Sequence, residues 1–454
     1  MRERALSIVG AGLAGALLAI LLARRGLRIT LYERRSDPRL QAPQGGRSIN
    51  LALAARGMRA LDQAGLMPHI EPLLIEMRGR MVHELGRAPL LQPYGQRSDE
   101  VIHSVGRAAL NRLLIEEAAR HEGVTLRFEH SCEGVRPDGD RLLLRDATGR
   151  SLEVPLTPTL ATDGAGSSVR TALAKHGLVT EREDPLDHDY KELRIAPVPS
   201  ASHRQAHGTD FALEPHALHV WPRQGFMLIA LPNTDRSFTA TLFLPREGSP
   251  SFAALADARA VQALFAEQFA DAAALVPDLT GQFAKNPQGR LGTLHCRPWH
   301  LRGQVLLLGD AAHAIVPFHG QGMNAAFEDC LLLDRLLEEY ANWSELFAAF
   351  DQARRADAEA IARMAIENYG EMRERVLDPR FVRLSGWARE LERRHPQRFI
   401  PRYAMVMFHP EIGYADALRR GAIQRQILDE LDRQAAGGSR FDDTLADVLV
   451  RERL

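Results

Sequence analysis

The chain has 454 residues, with 57 Lys and Arg against 58 Asp and Glu, and 45% of its residues are hydrophobic. The length predicts more than one domain, and the composition is that of a globular protein. The balanced charge argues against a nucleic-acid-binding surface, which normally carries excess basic charge. Cys132, Cys296 and Cys330 show no zinc-ligand spacing, so we expect a reducing compartment and no metal site.

The opening segment, MRERALSIVGAGLAGALLAILLARRG, would also suit a signal peptide, because a basic start precedes an apolar stretch from about Ala5 to Ala23. The pattern of Gly10, Gly12 and Gly15, followed by RITLYE, favours a buried strand, a tight turn and a buried helix. No other stretch approaches the roughly 20 apolar residues of a membrane span. We therefore expect a cytoplasmic protein without a membrane anchor.

The N-terminal segment predicts a βαβ unit. Residues 5–9 form a buried parallel strand, a helix runs to about Arg25, and residues 28–32 form a second strand that ends at Glu33. The first glycine of GAGLAG makes the tight turn, the second admits a pyrophosphate, and the third lets helix and strand pack closely. The helix N-terminus attracts phosphates, and Glu33 can accept from ribose hydroxyls. This arrangement predicts an adenine dinucleotide, NAD or FAD.

The next segment alternates helices and strands. A helix is predicted from Leu51 to about Leu66, and the strand VIHSV (101–105) precedes a second helix at 107–120. Alternating apolar positions at 123–163 predict strands and hairpins that end at Asp163-Gly164.

The second half of the chain changes character. Within residues 181–290, the pattern first predicts antiparallel strands with polar turns and then, at 254–273, a helix-like stretch. A buried strand then ends at Gly309-Asp310, and from Met323 onward the chain is mostly helical.

Three strand ends, each with a glycine and an acid, imply a long cofactor that lies across them, because open α/β sheets bind ligands outside the carboxyl ends of their strands. Asp310 suits a ribityl hydroxyl of a flavin. The helix that begins near Gly320-Gln321-Gly322 can direct amides at the pyrimidine edge of the flavin, where negative charge appears on reduction. These features favour FAD over NAD.

The chain resembles the single-component FAD-dependent aromatic hydroxylases over nearly its whole length. GAGLAG with Glu33, the Asp-Gly pair at 163–164 and GDAAHAIVPFHGQGMNAAFED (309–329) are motifs of the wider family. The narrower stretches are similar to members that hydroxylate L-kynurenine: GRSINLALAARG (46–57), MRGRMVHELG (77–86), HVWPR (219–223), ENYGEM (367–372) and FIPRYAMV (399–406).

The resemblance implies an α/β (α+β) fold with three parts. These are a discontinuous Rossmann-like FAD-binding domain at 1–180 and 291–330, an antiparallel-sheet substrate domain at 181–290 and a C-terminal helical region at 331–454. A monomer or a homodimer is expected.

The implied activity is that of an NADPH-dependent flavoprotein monooxygenase. NADPH, a transient co-substrate, reduces FAD, O2 gives a flavin hydroperoxide, and one oxygen atom passes to L-kynurenine to form 3-hydroxy-L-kynurenine. The cofactor carries the chemistry, while the protein orients the reactants and excludes water. The reaction belongs to the kynurenine pathway, and the sequence does not distinguish tryptophan catabolism from NAD biosynthesis.

The resemblance also implies a set of cofactor contacts. Arg107 is one of them, although it could equally be a charge at a helix end, and Arg47 is a further candidate for flavin or NADPH contact. His313 is expected to be structural. The implied FAD-binding residues are Gly10, Gly12, Gly15, Glu33, Arg34, Arg107, Asp163, Asp310, Gly320, Gly322, Met323 and Asn324.

Arg80 and Tyr94 match the positions that clamp the carboxylate of the substrate in the family. A guanidinium can bind a carboxylate through two parallel hydrogen bonds, and a phenol adds one directed bond. For Arg78, across Gly79, we expect only a surface position.

Asn368 and Met372 are four residues apart and share one face of a predicted helix. They could offer a polar contact and a soft wall to an aromatic ketone, and Tyr403 matches another pocket position. Phe318 and His319 should border the reacting ring, where His319 positions groups and is not assigned as a base.

Two alternatives remain. A related hydroxylase acting on another aromatic substrate would share every FAD motif, but a phenol lacks the carboxylate that Arg80 would clamp. A non-catalytic flavin-binding regulator would not be reduced by NADPH in the presence of substrate. A flavin halogenase would need a WxW pair, which the four tryptophans do not form.

Overall fold

The computed structural model describes residues 5–40, 50–136, 140–198, 200, 205, 208–375, 378–435 and 441–454, so Arg47 lies outside the described residues. The strands, in chain order, are β1 (Ala5–Val9), β2 (Arg28–Tyr32), β3 (Asn50–Leu53), β4 (Leu74–Met77), β5 (Gly79–Val82), β6 (Leu90–Pro93), β7 (Ile102–Gly106), β8 (Val124–Arg127), β9 (Ser131–Arg136), β10 (Arg141–Arg145), β11 (Ser151–Pro155), β12 (Thr159–Ala161), β13 (Thr180–Ile195), β14 (Ala217–Arg223), β15 (Phe226–Pro232), β16 (Phe238–Pro245), β17 (Gln288–Arg297), β18 (His300–Leu301) and β19 (Val305–Leu307).

The helices are α1 (Leu13–Arg24), α2 (Ala55–Gln63), α3 (Met67–Ile70), α4 (Arg107–Ala119), α5 (Ser168–Lys175), α6 (Ala258–Gln268), α7 (Ala270–Ala273), α8 (Leu279–Lys285), α9 (Asp310–His313), α10 (Gly322–Glu339), α11 (Trp343–Gly370), α12 (Pro379–Arg394), α13 (Arg402–Phe408), α14 (Tyr414–Gln434) and α15 (Asp443–Arg453). Short 3-10 helices occur at Glu71–Leu73 and Pro317–His319, and a π-helical turn, Glu371–Arg375, follows α11. No helix in the described ranges is both long and apolar enough to cross a membrane.

The chain divides into two compact units. The first unit comprises Met1–Leu74, Val105–Leu186 and Arg290–Ala362, and the second comprises Ile75–Ser104, Asp187–Gly289 and Arg363–Leu454. This division differs from the predicted domain boundaries in three places. Residues 363–454 share a unit with the antiparallel sheet and do not form a separate helical region. Residues 75–104 join the second unit because β5 and β6 extend its sheet. The first unit reaches Ala362 because the first half of α11 packs apolar side chains into its core.

The first unit is built on a six-stranded sheet with the order β18-β19-β12-β1-β2-β8. All its neighbouring strands are parallel except β18 and β19. The register pairs Val9 with Tyr32 and with Ala161, and Ala161 with Leu307. The carboxyl ends of these four strands therefore lie at one edge of the sheet, as the sequence predicted.

The apolar N-terminal stretch is the centre of this unit. β1 and α1 have the predicted strand–turn–helix form, and α1 buries residues on all its sides. Gly10 has a φ of +97°, which favours glycine, and a Cβ on Gly15 would lie only 2.0 Å from the Gly10 carbonyl oxygen. The glycines therefore allow the close contact between the turn and the helix.

The predicted helix from Leu51 to Leu66 was wrong at its start, because residues 50–53 form the strand β3 and α2 begins only at Ala55. A side chain distant in sequence fixes this junction. Asn324 Oδ1 accepts from the Ala54 amide at 3.0 Å, and its Nδ2 donates to the Ala52 carbonyl at 2.9 Å.

The second unit contains a seven-stranded sheet with the order β17-β13-β16-β15-β14-β5-β6. The hairpins β14–β15 and β15–β16 turn where the sequence predicted. One apolar core of this unit lies between the sheet and the α6–α8 segment, and another joins α12, α14 and α15.

We predict that Gly15→Ala destabilises the first unit by at least roughly 1–3 kcal/mol, because the new methyl group would meet backbone that cannot move aside. Chemical denaturation and the FAD content of the purified protein would measure the effect.

Gly386→Ala is the matched control, because Gly386 lies inside α12 with open space around it. That variant should be neutral or slightly more stable. Equal stability of the two variants would contradict the assignment of Gly15 to close packing.

Candidate active site

The glycine-rich turn of the first unit presents backbone to an open space. A Cβ on Gly12 would have no atom within 4 Å, although the neighbouring glycines are tightly packed. Gly12 precedes α1, and no side chain in the described residues caps that helix. Glu33, at the end of β2, accepts from the Ala11 amide at 2.9 Å. The turn therefore has room for a phosphate, and the N-terminus of α1 offers it partial positive charge, with Glu33 next to the site.

The loop after β12 is held by a hydrogen bond between Asp163 and the start of α5. Asp163 Oδ2 accepts from the Ser168 amide at 2.9 Å, at the start of α5, while its Oδ1 is buried with no partner among the described residues. Burial raises the pKa of the Asp163 carboxyl. One oxygen thus holds the loop, and the other is available to a ligand hydroxyl.

Asp310 begins α9 directly after the third strand end. Its carboxylate is exposed, and it makes no hydrogen bond with the described residues. The Arg107 guanidinium, at the start of α4, is close enough to act on it electrostatically. Gly309 has a φ of +55°, so the turn that presents Asp310 depends on a glycine.

A buried carboxylate that the sequence analysis missed holds this turn. Asp329, on α10, accepts from the Gly309 amide at 2.9 Å, from His313 Nε2 at 2.7 Å and from Arg354 Nε at 2.6 Å. Burial alone would raise the pKa of the Asp329 carboxyl, but His313 and Arg354 lower it to about 2. Asp329 therefore remains charged and positions Asp310, and His313 is structural, as predicted.

Arg170, which the sequence analysis also missed, links the loop after β12 to α9. It donates to the Ala165 carbonyl at 2.6 Å, in the loop after β12, and to the Ala311 carbonyl at 3.0 Å, in α9. Glu181 accepts from its Nε at 2.7 Å. One buried guanidinium therefore fixes the distance between the loops that carry Asp163 and Asp310.

The segment before α10 carries the remaining predicted residues of the first unit. Phe318 and His319 are buried in the 3-10 helix, Gly320 has a φ of +65°, and Gly322 begins α10 without a side-chain cap among the described residues. Met323 is half-buried and Arg34 is exposed. Asn324 is fully buried, and its side chain bonds to protein backbone. The start of α10 can thus offer amides to a ligand, while Asn324 orders the segment.

In the second unit, Arg80 and the two predicted tyrosines come together. The Arg80 guanidinium lies over both rings, with Cζ 4.8 Å from the centroid of Tyr403 and 5.8 Å from that of Tyr94. The two rings stack at 5.7 Å. Arg80 Nε and the Tyr94 hydroxyl are buried without hydrogen-bond partners among the described residues. Burial raises the pKa of both phenols, so they remain neutral beside the cation.

Asn368 and Met372 share a helix face, as predicted, and Asn368 Nδ2 lies 3.5 Å from Met372 Sδ. Both side chains are buried, Asn368 in the last turn of α11 and Met372 in the π-helical turn that follows it. Arg402, next to Tyr403, donates to Glu367 and to Glu371 on this same helix end. These ion pairs therefore join the segment that carries Tyr403 to the one that carries Asn368.

A parallel sheet whose glycine turn, acids and helix N-termini line one edge defines a dinucleotide-binding fold. The model of the "FAD binding domain" family matches residues 3–365. The chain therefore belongs to the FAD-binding-domain family of flavin-dependent monooxygenases.

Proteins named kynurenine 3-monooxygenase are similar to this chain over nearly its whole length. Those of Xanthomonas oryzae pv. oryzae (strain MAFF 311018) and Xanthomonas campestris pv. campestris (strain 8004) are 47% and 48% identical to it, and each match covers 99% of this chain and 97% of the relative. A solved structure, the tetrameric form of 2-methyl-3-hydroxypyridine-5-carboxylic acid oxygenase, shares the fold. Its TM-score is 0.65 at 19% identity, covering 84% of this chain and 95% of that one.

We predict that Arg354→Met destabilises the protein by roughly 3–5 kcal/mol, because it removes one partner of a buried ion pair. FAD retention should fall as well, since Asp329 orders the turn before Asp310. Denaturant unfolding and flavin content after dialysis would measure the two effects.

The neighbouring Arg355 provides the control, since it pairs with Asp351 one helical turn away and is more exposed. Arg355→Met should cost less than Arg354→Met, because the buried Asp351 keeps the Trp299 amide as a donor. A comparable loss in both variants would refute a special role for the buried pair.

Proposed function

We propose that this protein hydroxylates L-kynurenine at ring position 3, with NADPH, O2 and a proton as co-reactants and 3-hydroxy-L-kynurenine, NADP+ and water as products. Bound FAD supplies the redox and oxygen-transfer chemistry. The chain then has to bind the substrate, orient its ring and exclude water. The high identity to proteins named for this reaction supports the proposal.

The observation that carries the substrate assignment is the state of Arg80. Its guanidinium makes no ion pair with a carboxylate of the described residues, and Glu371 acts on it only electrostatically. A half-buried cation whose Nε has neither a hydrogen-bond partner nor a counter-ion among the described residues suits an anionic ligand. The carboxylate of an amino-acid substrate can meet the planar guanidinium through two hydrogen bonds.

The neighbouring side chains complete the proposed substrate site. The Tyr94 hydroxyl donates a directed bond to the same carboxylate, and Tyr403 supports the guanidinium through its ring. Asn368 binds a polar group of the aromatic ketone, and Met372 provides an adaptable apolar wall.

In the first unit, the proposed FAD contacts follow the edge of the sheet. The turn at Gly10, Gly12 and Gly15 receives the pyrophosphate, and Glu33 receives ribose hydroxyls. Asp310 holds the ribityl chain, and the start of α10 donates to the pyrimidine edge. Phe318 and His319 border the ring as positioning groups. Further proposed contacts are Arg34, Arg107, Asp163, Gly320, Gly322, Met323 and Asn324, the last through the segment that it orders.

Arg80→Ala should weaken L-kynurenine binding by roughly 2–5 kcal/mol, the range for losing one member of a buried, hydrogen-bonded charge pair. FAD content should hardly change. A binding titration with the FAD-loaded protein would measure the affinity.

Arg78→Ala is the matched control, because Arg78 is two residues away, exposed and paired with Glu76. Its affinity should equal that of the wild type. An unchanged affinity in Arg80→Ala would refute the carboxylate clamp.

The proposed reaction is tested by NADPH consumption of the FAD-loaded protein with and without L-kynurenine, together with mass analysis of the product. Fast oxidation only with L-kynurenine, giving a product heavier by one oxygen atom, is the expected result. Fast oxidation that yields only peroxide would mean that L-kynurenine triggers reduction but is not the substrate. An absence of stimulation would favour another aromatic substrate or a flavin-binding regulator.

A further inference from the structure

The HVWPR motif and His83 take no part in the proposed chemistry, yet they form one buried polar cluster in the second unit. His219, Trp221 and Arg223 alternate along β14 and therefore point to one face of the sheet. All three are buried, and so is His83, which directly follows β5. Asp271, on α7, completes what we call the His83 cluster.

The contacts of the cluster form a chain. Asp271 Oδ2 lies 3.2 Å from His83 Nδ1, His83 Nε2 lies 2.8 Å from His219 Nδ1, and His219 Nε2 lies 2.8 Å from the Glu214 carbonyl oxygen. The Trp221 ring stacks on His83 with centroids 4.1 Å apart, and its Nε1 donates to Asp271 at 2.8 Å.

The proton positions on His219, and between His219 and His83, follow from the Glu214 carbonyl oxygen at one end of this row of contacts. A carbonyl oxygen can only accept, so His219 Nε2 carries a proton. Burial lowers the pKa of His219 to about 4, which leaves the ring neutral and makes its Nδ1 an acceptor. His83 Nε2 must therefore donate to it.

The other nitrogen of His83 faces a carboxylate. Burial raises the pKa of Asp271, but the hydrogen bonds from His83 and Trp221 outweigh it and lower the value to about 2. The His83 ring thus lies between the Asp271 carboxylate and the neutral His219 ring.

The cluster fixes the backbone that carries Arg80. β5 has four residues and is paired with β14 on one side and with the edge strand β6 on the other. The His83 amide donates to the Val220 carbonyl at 2.9 Å, and Arg223 Nη1 donates to the His83 carbonyl at 3.0 Å. His83 and Arg80 are three residues apart and point to opposite faces of the sheet.

We infer that His83, held between Asp271, His219 and the Trp221 ring, is a positioning residue that fixes β5 so that Arg80 meets the carboxylate of the substrate. This inference rests on the proposed function. Asp271, His219 and Arg223 are the titratable or charged groups that face His83 from the elements packed against it.

The first test is a steady-state comparison of FAD-loaded wild type with His83→Gln and Asp271→Asn. Substitution of Asp271 should disturb the folded structure little, because its side chain is 55% exposed. The KM for L-kynurenine should rise about tenfold in each variant, within the usual range of coupling between neighbouring residues, while kcat stays within about twofold. FAD content should not change.

Two controls separate positioning from general damage. His216→Gln alters an exposed histidine close to β14 and should leave the KM unchanged. In an Arg80→Ala background, His83→Gln should raise the KM no further, because its effect acts through Arg80. A full additional rise in that background would overturn the inference, as would equal losses in kcat and FAD content.

A second readout does not depend on the substrate. The emission that wild type loses in Trp221→Phe reports on the indole ring that stacks on His83. The same difference, taken in a His83→Gln background, should change in intensity or wavelength. Unchanged Trp221 emission would refute the stacked contact. Wild type that fails to turn over L-kynurenine refutes the proposed function and this inference with it, whereas normal turnover with an unchanged KM in His83→Gln refutes the inference alone.

Discussion

A charge that the fold removes from water must meet a compensating group, and this constraint organises both units. In the first unit, the Asp329 carboxylate is compensated by Arg354, by His313 and by the Gly309 amide. His313 and the Gly309 amide belong to the segment of α9, and Arg354 belongs to α11, so the carboxylate can be buried only if these segments meet correctly. The result is an ordered turn that presents Asp310, the residue proposed to hold the ribityl chain of FAD.

The same constraint acts differently at Arg80, where compensation within the protein is incomplete. Neutral tyrosine rings stabilise the cation through their faces but provide no counter-charge. A ligand with a carboxylate removes that deficit, whereas an otherwise similar phenol leaves it in place. Sites of this kind discriminate strongly, because the wrong ligand leaves a buried polar group unpaired. The proposed specificity for a carboxylate therefore comes from the Arg80 charge, for which the protein supplies no counter-ion among the described residues.

Local patterns predicted the fold where the controlling residues are close in sequence. β1, α1 and β2 were placed within about one residue, because a glycine turn between apolar segments contains all the information needed. The start of the predicted Leu51 helix was wrong because Asn324, 270 residues later, holds residues 50–54 in another conformation. The pairing of Asn368 with Met372 was predictable from helical periodicity, whereas the meeting of Arg80 with Tyr403 followed only from the resemblance.

The residues that the sequence analysis missed share one property: they touch backbone or other side chains that hold the site. Asp329, Arg170 and His83 each compensate or fix a segment that carries a proposed ligand contact, and such roles require knowledge of distant neighbours. A signal was nevertheless present, because Asp329 interrupts an apolar helical stretch, AAFEDCLLL, where an unpaired acid would be costly. A charged residue inside a predicted core element therefore implies a buried partner, and near a proposed site that partnership is itself a hypothesis about positioning. The HVWPR motif follows the same reasoning, since a strand that buries His219 and Arg223 together must supply acceptors for both.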